Sequence, residues 1–287
     1  MSSEPVNYNY IHCDVFATRP YSGNSLAVFI NSEGLSGQQM LTITQEIRHF
    51  ESIFLSEKNG QISARVFDLF EELPFAGHPI IGAACALHKQ SGSDAKRAWK
   101  FDMNGGRTVS VASERRDGRY FATLNQGCPE MLGVVDAKPL FARAFNLDKL
   151  PDLPIEVIST GLKYLIVPVE CGLERAHVTV SNLGGKLREV GADFAYLFDI
   201  RTFEGRHWNN DGIMEDVATG SAAGVVGAYA MKHGLVQSGK SFALKQGHFI
   251  SRPSEIIVTA YGTSKNVERV TVAGEVAFVG SGEVIAP

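Results

Sequence analysis

A pair of matching segments constrains this chain most. Glu72-Leu73-Pro74-Phe75-Ala76-Gly77-His78-Pro79 runs on through Ile80-Ile81-Gly82-Ala83-Ala84-Cys85-Ala86-Leu87. Glu215-Asp216-Val217-Ala218-Thr219-Gly220-Ser221-Ala222 runs on through Ala223-Gly224-Val225-Val226-Gly227-Ala228-Tyr229-Ala230. Aligned on Gly77 and Gly220, Glu72 falls opposite Glu215 and His78 opposite Ser221. Each continuation is apolar on all sides, so each predicts a helix buried on every face. Small side chains there let surrounding backbone approach closely. The expected fold is α+β: two similar lobes, each a curved, barrel-like mixed β-sheet wrapped around one central helix.

The rest of the chain fits that frame. Strand patterns fall at residues 10–16, 26–30, 52–55, 64–67, 108–112 and 120–124, with helical spacing over 36–49 through Met40, Ile43 and Ile47. The charged run 114–119 carries Asp117-Gly118 and reads as a solvated hairpin turn. Further strands fall at 156–159, 164–169, 194–198, 255–261, 269–272 and 276–279, and one strong helix spans 220–233. Gly127 and Pro129 mark a boundary, giving lobes of residues 1–126 and 127–274, with the last strand, about 275–287, completing the first.

Hydrophobic content of 44% is ample for buried cores, and a net charge of −4 gives no footprint for nucleic acid or an anionic membrane. No apolar run reaches the roughly 18 residues of a membrane-spanning helix, and the polar start is unlike a signal peptide. Cys13, Cys85, Cys128 and Cys171 are scattered, without metal-ligand spacing, and read as reduced thiols of a cytoplasmic protein.

The chemistry is expected at the two helix starts. Each opens with a glycine followed by a residue fit to cap or to hydrogen-bond, His78 (with Pro79 beside it) or Ser221. Amide N–H groups and the positive end of the helix dipole suit such a start to an anion. If both starts face one cleft, they would grip one carboxylated substrate. An acid just upstream of each start, Glu72 or Glu215, favours a site over mere close packing.

At these residues the chain resembles the phenazine-biosynthesis isomerases, the PhzF-like family, which has the diaminopimelate-epimerase fold. The likeness runs through Asp14-Val15-Phe16, Gly23-Asn24-Ser25-Leu26-Ala27-Val28, Glu51-Ser52-Ile53-Phe54 and both long strings. It implies that Glu51 is the catalytic glutamate, with His78 and Asp216 as its helpers. It further implies that amides near Gly77 and Gly220, with Ser221, hold a small carboxylated metabolite, and that the protein is a homodimer. Asn24 is a weaker pocket candidate. The chain departs from the family at Arg48 and Phe50, where Asn and Ser are usual, and at Asp68-Leu69, where Thr-Pro is usual.

The epimerase branch of that fold uses paired cysteines at the helix starts, and neither start has one here. A single carboxylate, base and then acid, suits a cofactor-free isomerisation better, and Phe50, Ile53 and Phe54 would bury it among apolar groups. A serine hydrolase fits poorly, because Gly220-Ser221-Ala222-Ala223-Gly224 is not a nucleophile elbow. The competing expectation from another class is a non-catalytic binding or interaction protein of the same fold.

Overall fold

The computed structural model describes residues 6–104 and 106–287. The chain divides into two compact units, one of Met1–Leu124 with Ala273–Pro287 and one of Asn125–Val272.

In the first unit the elements are β1 (Asn7–Val15), β2 (Asn24–Phe29), α1 (Gly37–Ile47), β3 (Glu51–Lys58), β4 (Gln61–Phe67), β5 (Glu72–Leu73), α2 (Gly77–Gln90), β6 (Arg97–Met103), β7 (Thr108–Arg116) and β8 (Arg119–Gly127), which passes into the second unit at Asn125. The sheet runs β1-β2-β3-β4-β6-β7-β8, with β5 paired to β4. Among the described residues, β2–β3 and β4–β6 are the parallel pairs of this run, and α1 and α2 are their crossovers. Ser36 opens α1 with a capping box closed by Gln39.

In the second unit follow β9 (Glu130–Val135), α3 (Lys138–Ala144), β10 (Ile155–Ser159), β11 (Lys163–Val169), α4 (Leu183–Glu189), β12 (Phe194–Asp199), β13 (Glu204–Arg206), α5 (Gly220–Lys232), β14 (Ser241–Gln246), β15 (Ser254–Thr263) and the start of β16 (Asn266–Ile285), whose residues from Ala273 on belong to the first unit. Here too the parallel pairs, β11–β12 and β13–β14, are the ones whose crossovers hold α4 and α5. The duplication in the sequence is thus a duplication of connectivity: hairpin, helical crossover, hairpin, helical crossover. The fold is a mixed sheet with few helices.

The two Gly/Ala-rich helices are the core of their units. Gly77 to Ala86 of α2 are all buried, against β1, β2, β3, β6 and β7. A Cβ on Gly82 would lie 2.4 Å from Leu26 Cδ2, so the glycine sets how near α2 comes to the sheet. In α5 a Cβ on Gly227 would lie 2.6 Å from Val258 Cγ1, and the helix packs on β10, β11 and β15. Fully burying each Ile or Val of these helices contributes about 1.5–3 kcal/mol.

Two local expectations are corrected. Residues 269–272 and 276–279 belong to one continuous strand, the 20-residue β16, in which Gly274 closes onto Phe16 instead of breaking the strand. The helix expected over 36–49 stops at Ile47, because Arg48 turns into the left-handed region at φ 54° and caps it. Among the described residues no helix is long and apolar enough to cross a membrane.

Candidate active site

In the first unit, Glu51 opens β3 opposite Leu26, and His78 stands in the first turn of α2. Glu51 is 7% and His78 5% exposed, and Nδ1 of His78 lies 3.6 Å from Oε2 of Glu51. Asn24 is not a turn residue but the buried first residue of β2, opposite Val15. Its placement depends on Gly23, which has φ +63° and where a Cβ would lie 2.4 Å from the Val15 carbonyl, so a side chain is excluded. Gly77 is buried at the helix start beside His78.

In the second unit, Asp216 is buried just ahead of α5, with Gly220 and Ser221 in the helix's first turn. The Ser221 hydroxyl is 2.7 Å from the Tyr164 hydroxyl, and Gln126 donates to the Gly220 carbonyl at 2.8 Å. Thr219 donates its hydroxyl proton to Asp216 Oδ2 at 2.7 Å. His207 sits among Tyr164, Phe194 and Tyr196, with Nδ1 2.8 Å from the Ala195 carbonyl. Its burial pushes its pKa below the ordinary histidine value, against a smaller opposing pull from Asp216. Tyr164, His207, Gln126 and Gln246 carried no spacing signal in the sequence; only the register of their strands brings them to the α5 start.

The helix starts differ from expectation in one respect. Ala76 and Thr219 hold the N-cap positions and neither makes a side-chain cap bond, so His78 and Ser221 are first-turn residues and not caps. The acids upstream are committed as well. Glu72 receives Nε and Nη2 of Arg65 at 2.8 and 2.5 Å, and Glu215 receives the same atoms of Arg206 at 2.9 and 2.6 Å. In each unit the arginine lies two residues before an aromatic, Phe67 or Trp208, that pairs with the glutamate and lies under the guanidinium. The matched glutamates are therefore structural forks, which leaves Glu51, His78 and Asp216 as the candidates for chemistry.

Asp68 and the buried cysteines stand outside this chemistry. Asp68 builds a turn, accepting the amides of Phe70 and Glu71 at 2.7 Å each. Cys13 and Cys85 are buried, and burial pushes both thiols far up, so neither supplies a thiolate. Among the described residues no group of three or more His, Cys, Asp or Glu could hold a metal ion.

The duplication is chemically one-sided. The residue that opens β12, as Glu51 opens β3, is Phe194. Of these two matched strand heads, only that of β3 carries a carboxylate. Against known proteins, the model of the phenazine biosynthesis-like proteins matches residues 13–282. The chain belongs to that family.

Curated relatives are similar to it over nearly all of their length. A trans-2,3-dihydro-3-hydroxyanthranilate isomerase of Pseudomonas aeruginosa is 34% identical over 286 residues, covering 96% of this chain and 98% of that protein. An uncharacterized isomerase, YddE, of Salmonella typhimurium is 30% identical, covering 92% and 94%. Among solved structures, a predicted epimerase of Pseudomonas aeruginosa superposes with a TM-score of 0.89 at 41% identity, covering 96% and 99%. A hydroxyproline epimerase of Agrobacterium vitis, at a TM-score of 0.63 and 12% identity, covering 97% and 92%, shares the fold alone. Isomerase is thus the enzyme class of this chain.

Proposed function

We propose that Glu51 takes a proton from one carbon of a small carboxylated metabolite and returns it to another. The carboxylate leaves the first step as a carboxylic acid, whose O–H proton exchanges with solvent, and then protonates the second carbon, so the substrate is isomerised with no net redox change and no cofactor. His78 and Asp216 polarise the substrate and fix its orientation. Gly77, Gly220 and Ser221 bind its carboxylate, and Asn24 contributes from the head of β2.

The observation that supports this reading most is the placement of Glu51 and His78. Two side chains from separate elements, both buried, meet within 3.6 Å where a strand and a glycine-rich helix begin. Relatives named trans-2,3-dihydro-3-hydroxyanthranilate isomerase support the substrate class, a compact carboxylate bearing a proton on an activated carbon. The same resemblance supports a homodimer whose units are each a barrel-like sheet around a helix, which sedimentation and a crystal structure would test.

The reaction itself is tested by incubating the protein in heavy water with carboxylated hydroxy- and amino-acid metabolites, then measuring their mass. Incorporation of solvent deuterium into one of them, up to one per turnover, supports the proposal. Tight binding without incorporation for any ligand would favour a non-catalytic binding protein.

A further inference from the structure

One buried amide in the second unit settles the direction of a chain of hydrogen bonds. Gln246 is fully buried at the end of β14. Its Oε1 receives the backbone N–H of Thr219 at 3.0 Å, and its Nε2 donates to the backbone carbonyl of Asp216 at 2.9 Å. A backbone N–H can only donate and a backbone carbonyl can only accept, so the amide has one possible orientation. Two consequences follow. The Tyr196 hydroxyl, 2.9 Å from Oε1, must be a donor. The second Nε2 proton, aimed at Thr219 Oγ1 at 2.9 Å, makes that hydroxyl an acceptor there. Its own proton is then directed to Asp216 Oδ2, 2.7 Å away.

The turn that carries Gln246 is itself fixed against the Asp216 segment. Gly247 has φ +76°, and a Cβ there would lie 2.3 Å from the Arg252 carbonyl and 2.7 Å from that of Val217. The Ser254 hydroxyl lies 2.8 Å from the Val217 carbonyl and 2.9 Å from that of Gln246, and its one proton is available to either. Residues 216–219 are thus held from one side by β14 and the turn after it. An aspartate that rotates freely about its χ angles could not present one oxygen to a substrate, and here one oxygen is claimed by a hydroxyl whose direction is imposed.

We propose that Gln246 and Thr219 are positioning residues for Asp216: the Gln246 amide directs the Thr219 hydroxyl proton onto Asp216 Oδ2 and so fixes the orientation of the carboxylate that acts on substrate. The catalytic half of this statement rests on the function proposed above; the direction of the hydroxyl does not. Thr219 and Gln246 touch no reacting atom and act only through Asp216.

Two measurements test it. Neutron diffraction from deuterium-exchanged crystals locates the hydroxyl deuteron directly. It is expected between Thr219 Oγ1 and Asp216 Oδ2, with the Gln246 amide deuterons facing the Asp216 carbonyl and Thr219 Oγ1. A hydroxyl deuteron pointing to any other acceptor overturns the proposal, whether or not the protein proves to be an isomerase. In heavy-water exchange, folded Thr219→Val is expected to lower kcat on the order of tenfold to a hundredfold, with little change in KM, and Thr219→Ser to restore it. A Thr219→Val protein with undiminished kcat, or a folded Thr219→Ser protein as slow as Thr219→Val, overturns the positioning role. Absence of exchange by the wild type would overturn the proposed function instead, and the deuteron's position would still decide this one.

Discussion

Nδ1 of His78 lies 3.6 Å from Oε2 of Glu51, with both side chains buried. Neither residue gets there by local preference. Glu51 is the first residue of a strand whose parallel partner needs a helical crossover, and His78 is carried in by the crossover helix of the next parallel pair. The two meet because the first crossover ends, and the second begins, at the same end of the sheet.

If His78 shares the proton transfer, its removal should be felt in the chemical step. His78→Gln, which keeps a hydrogen-bonding side chain in the first turn of α2, is expected to lower kcat by roughly a hundredfold or more. Heavy-water exchange under saturating substrate measures it. A change confined to KM would place His78 in binding alone.

The two arginine forks should differ sharply in stability. Arg206 also donates to the Leu173 and Ala176 carbonyls at 2.9 Å each, and its partner Glu215 is almost closed to solvent. Arg206→Met therefore leaves a buried carboxylate and two carbonyls without their donor, and is expected to cost about 3–5 kcal/mol. Arg65 and Glu72 are partly exposed, so Arg65→Met should cost about 1 kcal/mol or less. Urea unfolding at neutral pH compares them; equal losses would contradict the assignment.

Burial lowers the pKa of His207, and the sign of its effect on stability follows. The unfolded chain takes up a proton at the usual ~6.5, while the folded chain resists until lower pH. Stability from this group is therefore complete above about pH 6.5 and is lost as pH falls from there to the folded pKa. Urea midpoints between pH 8 and 5 should fall for the wild type and fall less for a folded His207→Gln protein. Parallel profiles would show that another group governs the acid side.

Gly224 of α5 faces Gln126, and a Cβ there would lie 1.8 Å from the Gln126 Oε1 atom. That amide donates to the Gly220 carbonyl and accepts from Thr160 at 3.2 Å. Gly224→Ala should push it aside and cost about 1–3 kcal/mol, despite the better helix propensity of alanine. A stability gain on urea unfolding would contradict this packing.

How much of this was legible in the chain itself depends on the kind of signal. The helices α2 and α5 stood out because a run rich in Gly and Ala and apolar on every face holds together only where it is buried on every face. The strands rich in Val, Ile and Phe were visible from alternation. The short α3 and α4, seven residues each, carry too few turns for a period to show. The strand β13 has three residues, β14 mixes apolar and polar residues, and β9 is interrupted by Gly133 and largely exposed, so none shows a clean alternation. At the site, Glu51 was named from family likeness and not from its own neighbourhood, and its burial beside His78 appears only in the fold. Gln246 had no local mark at all, since its meaning lies in a segment some thirty residues away that β14 brings against it.

The most direct test is to compare wild type with Glu51→Gln in heavy water, using the metabolite that the wild type labels and matched urea midpoints to establish folding. Loss of deuterium incorporation by about a hundredfold to ten-thousandfold, with the metabolite still bound, is the expected result. A folded Glu51→Gln protein that labels its substrate at the wild-type rate would contradict the proton shuttle.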